Sequence, residues 1–178
     1  NGMYGGTCIN VGCIPSKRLI TEAATAPTSD FAAKAAYYKK AIEGKRELTG
    51  ALNKANYNKL IQAGVEVIDG MASFVDATHV EVKTKDGVLQ LEGKQFVINT
   101  GATSVIPGIP GVKDSDKVYT SESMMDLDEL PEKLTIVGGG YIGLEFAAMY
   151  ANFGSKVTVV QDIDAFLPRE DKDIADNI

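Results

Sequence analysis

The only two cysteines of this 178-residue chain, Cys8 and Cys13, stand five positions apart in CINVGCIPSK, directly behind Gly5-Gly6-Thr7. Two thiols at that spacing can staple the chain, form half of a metal site, pack as small hydrophobes, or exchange electrons. A structural zinc site wants four Cys or His ligands, and the one histidine, His79, lies in a predicted strand or turn. A staple closing so short a loop would stabilise little. Two free thiols buried as small apolar groups remain a further reading. Geometry narrows the choice. Five residues of regular α-helix separate two Cα atoms by about 8.6 Å, whereas a disulfide needs them within about 7 Å. An uninterrupted helix from Cys8 to Cys13 therefore could not hold a bridge. Asn10 and Gly12 tolerate an irregular backbone between them, and Pro15 suits the first turn of the helix that follows. Cys13 then lies near a helix N-terminus, whose free N–H groups and dipole depress a thiol pKa. Such a pair favours an easily exchanged disulfide.

A second chemistry-bearing stretch is Gly138-Gly139-Gly140-Tyr141-Ile142-Gly143, which satisfies G-x-G-x-x-G. The pattern alone is weak, and a ligand-free glycine turn is the competing reading. Its context is the informative part: LTIV precedes it, LEFAAMYANFG continues as a helix, and KVTVV follows as a second strand. Gly138 would permit the tight turn, Gly140 the approach of a pyrophosphate, and Gly143 the close packing of helix on strand. The phosphates would meet the free N–H groups of the helix start. The ribose reader belongs about 20 residues later, at Gln161 or Asp162. Gln161 takes the expected position without a charge and no arginine cluster marks a 2′-phosphate site, so NADH is slightly favoured over NADPH.

These two stretches need elements to hold them. SKRLITEAA after Pro15 has helical spacing. Asp30 can cap a helix over FAAKAAYYKKAIEGKRELTGALNK, and Asn56 a shorter one, YNKLIQA, ending at Gly64. The apolar period then falls to two in VEVID, ASFVD, HVEVKT, VLQLE and QFVINT, with Asp86-Gly87 as the strongest hairpin signal. That block predicts an antiparallel meander closing on a buried strand at Phe96 to Asn99. GATSVIPGIPGVKDSD is a punctuated candidate boundary, dividing the chain into 1–113 and 114–178. Strand, glycine turn, helix and strand beyond it form a βαβ unit.

Bulk properties exclude some classes. The net charge is −6 and the 18 Lys and Arg are scattered, so no basic stripe points to nucleic acid. No apolar run approaches the roughly 20 residues that span a bilayer. Two cysteines make no disulfide scaffold, so a cytoplasmic setting is expected.

GGTCINVGCIPSK, followed over a hundred residues later by GGGYIGLEFA, with INTGATSVIPGIPG between them, closely resembles the flavin-dependent pyridine nucleotide-disulfide oxidoreductases. MYGGTCIN, VIDGMASFV, ANFGSKVTVV and FLPREDKDIADNI are similar to a mercuric-reductase-like subgroup that includes reactive-chlorine-resistance and hypothiocyanous acid reductases. The resemblance implies an α/β fold, an FAD/NAD(P)-binding Rossmann-like three-layer ββα architecture with an antiparallel meander, both domains being partial. It implies that Cys8 is the interchange thiol that attacks substrate and Cys13 the thiolate that lies against the flavin. Lys17 matches the lysine near the flavin's reactive nitrogen, Glu145 its acidic partner beside the nicotinamide, and Tyr141 the aromatic gate over that pocket. Gly6, Thr7, Thr100 and Gly101 match positions lining FAD, and Ala72 the backbone facing adenine. NAD(P)H, FAD, the Cys8–Cys13 disulfide and a small-molecule oxidant or disulfide substrate would then form one electron path, hypothiocyanous acid being the favoured acceptor.

The family's first FAD glycine motif, and its C-terminal interface domain with the acid-base histidine, have no match here. The chain is therefore expected to be the latter part of an FAD domain plus the first part of a NAD(P) domain, with little turnover and weak FAD binding by itself. Homodimerisation is expected of the whole protein. The alternatives are a dinucleotide-binding module without redox work and a mercuric or copper ion reductase acting through the same thiols.

Overall fold

The computed structural model of the chain describes residues 2–178. A short helix α1 (Gly6–Asn10) and helix α2 (Cys13–Ala24) are separated by Val11 and Gly12, so the two cysteines fall on different helices, as the distance argument requires. Gly12 adopts φ −128, ψ −112, and a Cβ there would meet the Thr7 carbonyl oxygen at 3.0 Å.

Helix α3 (Phe31–Gln62) begins as expected, with Asp30 Oδ1 accepting from the Ala33 N–H at 2.9 Å. It differs beyond Lys54. Where two helices were predicted, one runs through 32 residues, and the Asn56 side chain donates to the Leu52 carbonyl one turn back instead of capping a new start. No proline interrupts this stretch, and its glycines, 44 and 50, weaken a helix by only about 1 kcal/mol each without breaking it. The helix stops in a Schellman turn: Gly64 takes φ +75 and Val65 N–H donates to Leu60 O.

Strands β1 (Met71–Phe74), β2 (His79–Thr84) and β3 (Gly87–Glu92) form the antiparallel meander in order β1-β2-β3. The β2–β3 register pairs Thr84 with Gly87, so the loop is Lys85-Asp86 and Gly87 (φ +142) opens the returning strand. Asp76 builds the β1–β2 turn, accepting from the N–H groups of Thr78 and His79, and His79 is the first residue of β2. Two predicted strands are absent. Residues 65–69 and 95–100 carry no ladder, and in place of a buried strand at Phe96 to Asn99, Val97 is 92% and Ile98 73% exposed. A strand exists by its hydrogen-bonded neighbour, and among the described residues no strand pairs with this segment; Phe96 packs edge-on against Phe74 of β1, with ring centroids 5.1 Å apart, while Val97 and Ile98 stay in solvent.

An irregular stretch leads to the one-turn helix α4 (Ser121–Met124), closed by a Thr120/Ser123 capping box. Then come β4 (Lys133–Val137), α5 (Tyr141–Phe153), β5 (Lys156–Val160) and a last helix α6 (Lys172–Asn177). β4 and β5 pair in parallel from Lys133↔Lys156 to Val137↔Val160, completing the βαβ unit.

The core lies between the helices and crosses from one half of the chain to the other. Leu19 of α2, Tyr38 and Ile42 of α3, and Met149, Tyr150 and Phe153 of α5 are buried together. Tyr38 meets Phe153 edge-on with ring centroids 5.1 Å apart. The two tyrosine hydroxyls in this core are satisfied: Tyr38 donates to Leu127 O at 2.9 Å, Tyr150 to Met124 O at 2.8 Å, and they lie 3.1 Å from each other. Burial raises both phenols, Tyr38 to about 12.

Candidate functional site

The dithiol is built from a break in a helix. α1 ends at Asn10, Val11 N–H returns to Thr7 O at 2.9 Å, and α2 restarts with Cys13 as its first residue. Pro15 sits in the first turn of α2, where no N–H is required, and is buried; Ser16 N–H reaches back to Gly12 O. Both cysteines are free thiols and exposed. They face each other: the hydrogen bond with the Cys13 thiol is the main reason the Cys8 thiol titrates above its ordinary value, with desolvation adding to it. The N–H groups of Cys13 and Ile14 at the start of α2 pull Cys8 the other way.

Residues far along the chain hold the turn carrying Cys8. Asn10 Nδ2 donates to Gly6 O (2.8 Å) and Tyr4 O (3.1 Å), while Asn53 Nδ2 on α3 donates to Asn10 Oδ1 and to Gly2 O, both at 2.7 Å. Tyr4 packs against Tyr57 with tilted rings, centroids 4.8 Å apart, and its hydroxyl reaches Asp69. Sequence reasoning found none of Tyr4, Asn53, Tyr57 and Asp69 for the site. The available signal was the i, i+4 pair Asn53 and Tyr57 on one face of a helix that the predicted break at Asn56 obscured.

Lys17 is one turn into α2, and its ammonium pairs with the Glu145 carboxylate on α5. Both side chains are well exposed, at 61% and 41%, so the pair counts for placement rather than for stability. It joins the dithiol helix to the helix of the glycine loop.

In that loop each glycine has its own physical reason. Gly138 takes φ +105 and donates its N–H to Val160 O at 2.8 Å, locking the turn to β5. At Gly143 a Cβ would stand 2.2 Å from the Gly138 carbonyl oxygen. Gly140 is the N-cap of α5, has no side-chain cap, and opens onto clear space with nothing within 4 Å of a built Cβ. The N–H groups of Tyr141, Ile142 and Gly143 are the helix's unpaired donors, and Tyr141 is 79% exposed beside them. This is a cradle a side chain would fill, and it fits a pyrophosphate. A cavity of about 420 Å³ adjoins it, lined in part by Gly138, Ile142, Gly143 and Phe146 and roofed by the 104–112 segment. Gln161 is already engaged: its side chain donates to Ile163 O and Ala165 O, folding the loop after β5. Asp162 next to it is exposed.

The structure therefore brings Cys8, Cys13, Lys17, Glu145 and the glycine loop to the joined α2 and α5 helices, with Gly6 and Thr7 on α1 beside the dithiol. Gly6 is left-handed (φ +74), with open space where a side chain would be. Ala72 lies apart on β1 opposite Val82, and Thr100 and left-handed Gly101 lie on the irregular exposed segment. Among the described residues no group of three or more His, Cys, Asp and Glu side chains could hold a metal ion, and no helix is long and apolar enough to cross a membrane.

The profile of the pyridine nucleotide-disulphide oxidoreductase family matches residues 2–178. The probable pyridine nucleotide-disulfide oxidoreductase RclA of Escherichia coli K12 is 47% identical over 179 residues, which cover 100% of this chain and 38% of that protein. A mercuric reductase of Bacillus cereus is 36% identical over 99% of this chain and 29% of its own length. Among solved structures, the Cu(II) complex of the HOCl-induced flavoprotein disulfide reductase RclA from Escherichia coli superimposes with a TM-score of 0.86 at 46% identity, over 99% of this chain and 38% of that one. The chain thus spans well under half the length of these relatives. It belongs to the pyridine nucleotide-disulphide oxidoreductase family.

Proposed function

From that membership we propose that the chain carries the redox dithiol and the nucleotide-binding βαβ unit of a flavin-dependent NAD(P)H:disulfide oxidoreductase, with its two parts divided near residue 113. The observation that carries the reading is the Lys17–Glu145 ion pair, which ties the dithiol helix to the nucleotide helix across 128 residues of sequence. A thiol pair and a phosphate cradle could each serve elsewhere; joined in this way they suit transfer between them.

The residues then take these parts. Cys8, exposed on α1, attacks the oxidised sulfur of a small disulfide or of hypothiocyanous acid, displacing a thiolate or hydroxide and forming a mixed adduct. Cys13 attacks the Cys8 sulfur, closes the Cys8–Cys13 disulfide and releases the reduced substrate, so two electrons leave the dithiol. Attack needs the Cys8 thiolate, which the hydrogen bond with Cys13 disfavours and the backbone N–H groups at the start of α2 favour. The Gly138–Gly143 loop would hold the pyrophosphate of the nicotinamide cofactor, with Asp162 accepting from the ribose and NADH preferred to NADPH. Gly6, Thr7 and Lys17, with Ala72, Thr100 and Gly101, would line FAD. Bound there, FAD supplies the two-electron step between nicotinamide and disulfide. Homodimerisation of the whole protein and a cytoplasmic setting accompany this reading.

Reacting the reduced chain with one equivalent of hypothiocyanous acid or oxidised glutathione tests it. Peptide mass spectrometry should find a Cys8–Cys13 disulfide, and Cys13→Ser should leave an adduct on Cys8. An adduct on neither cysteine would sink the proposal. A second reading, metal-ion reduction through the same thiols, is favoured by the mercuric reductase and Cu(II)-complex relatives. Thiol-dependent loss of Cu(II) from solution, absent in Cys8→Ser, would select it.

A further inference from the structure

We infer that Asn53, on the C-terminal half of α3, is the positioning residue that holds the Cys8 turn in register with Cys13. The inference rests on the dithiol reading above. One amide does two jobs: its Nδ2 donates to Asn10 Oδ1 and to Gly2 O, both at 2.7 Å. Asn10 lies between the cysteines and passes the constraint on, donating to Gly6 O and Tyr4 O on either side of the turn. The stretch from Gly2 to Asn10 is thereby tied to a rigid helix rather than to a loop. Neighbours of Asn53 on the same face complete the seat. Tyr57 packs on Tyr4 with tilted rings, and at Gly5 a Cβ would crowd Asn56 at 3.1 Å. Asn53, Asn56 and Tyr57 are half-buried, whereas Lys54 and Ala55 between them are exposed, so the turn covers that one face.

The unbroken run of α3 acquires a purpose here, because a helix ending near Lys54 would leave this seat unbuilt. α1 is a single turn of five residues whose hydrogen bonds alone cannot fix where Cys8 points. Holding both thiols in place raises their effective concentration toward each other and so favours closing the disulfide.

The test is a redox titration of the 178-residue chain in glutathione buffers, read by alkylation and mass spectrometry. In it a glutathione disulfide and two protein thiols exchange for two glutathione thiols and the Cys8–Cys13 disulfide. Asn53→Ala should lower the closure constant about tenfold, equivalent to about 30 mV for this two-electron couple, with the thermal unfolding midpoint of the reduced chain kept within a few degrees. Asn53→Asp fills the same space yet cannot donate, and its carboxylate would face Asn10 Oδ1; it should be at least as impaired as Asn53→Ala. The pH profile of Cys8 alkylation should move to lower pH in both variants as the thiol–thiol contact loosens. Wild-type closure constants and profiles in both variants would overturn the inference. So would a wild-type-like Asn53→Asp beside an impaired Asn53→Ala, since that pattern means volume and not hydrogen bonding. Absence of any reversible Cys8–Cys13 disulfide in the unsubstituted chain would instead overturn the dithiol reading itself.

Discussion

The dithiol turn and the glycine loop are both helix starts, and they are held in opposite ways. The glycine loop is positioned by what it lacks. Gly143 must have no Cβ because the Gly138 carbonyl lies where one would go, and Gly138 must accept φ +105. The dithiol turn is positioned by what other segments contribute: an amide from Asn53, a ring from Tyr57, a carboxylate from Asp69. Steric exclusion is local and is written in consecutive letters. A side-chain clamp is distributed, and its parts carry no mark in the sequence. The first kind of site should fail sharply on adding one carbon, and the second should weaken in steps.

The largest expected effect breaks the glycine side. Gly143→Val places a branched side chain against the Gly138 carbonyl and Ile136, so α5 must lift from β4 at a cost of about 3 kcal/mol or more, seen as an early urea midpoint. A midpoint near that of the unsubstituted chain would mean the close approach is not obligatory.

Next is the core that joins the two regions. Tyr150→Phe removes the donor to Met124 O and a partner of Tyr38 inside a buried cluster, and should cost about 1–3 kcal/mol in urea unfolding. Closure of the Cys8–Cys13 disulfide and nucleotide binding should then decline together with the fold, which would show that the two regions share one support.

The seat of α3 carries a pH signature. Lys45, nearly buried, donates to Asp126 at 2.8 Å and Arg46 does so as well, and these cations hold the Asp126 carboxyl below its usual range. Its folded pKa is lower than its unfolded one, so this stabilisation is present above the ordinary carboxylate pKa of about 4 and is lost as pH falls through the folded value. Asp126→Asn should cost about 1–2 kcal/mol at pH 7, discounted for the exposure of the carboxylate, and should flatten this part of the acid limb of stability against pH. An unchanged acid limb would remove Asp126 as its cause.

The smallest effect on the fold is also the sharpest comparison within the loop. Gly140→Ala meets nothing within 4 Å and its backbone is extended, so stability should change by less than about 0.5 kcal/mol. If the cradle holds a pyrophosphate, NADH affinity should nevertheless fall about tenfold by calorimetry. Equal affinity would place the nucleotide elsewhere.

Much of the site could be read without coordinates. A break in the helix between Cys8 and Cys13 followed from rise per residue, though not that Cys8 would lie on a short helix of its own, and the βαβ unit followed from a glycine pattern set between two apolar runs. The Asp30 cap and the existence of the β2–β3 hairpin were legible because turn and cap chemistry is local, although the loop is Lys85-Asp86, one residue before the expected Asp86-Gly87. The errors arose where a local signal was overridden by what surrounds it. Asn56 looked like a cap, but nothing stopped the helix before it, and its amide found Leu52 O. Phe96 to Asn99 looked like a buried strand, but a strand needs a neighbour and none of the described residues supplies one.

By itself, the sequence determined the chemistry available and where the backbone must bend: two thiols, a glycine-rich helix start after an apolar strand, and a tight turn that needs glycine at positions 138 and 143. These are matters of residue type and near-neighbour geometry, which order along the chain sets directly. Only the tertiary structure decided that Lys17 meets Glu145, that α2 and α5 share a core, and that Asn53 holds the turn carrying Cys8. Those pairings depend on which helix faces pack together, and packing is settled by the mutual burial of apolar surfaces far apart in the chain rather than by any local rule.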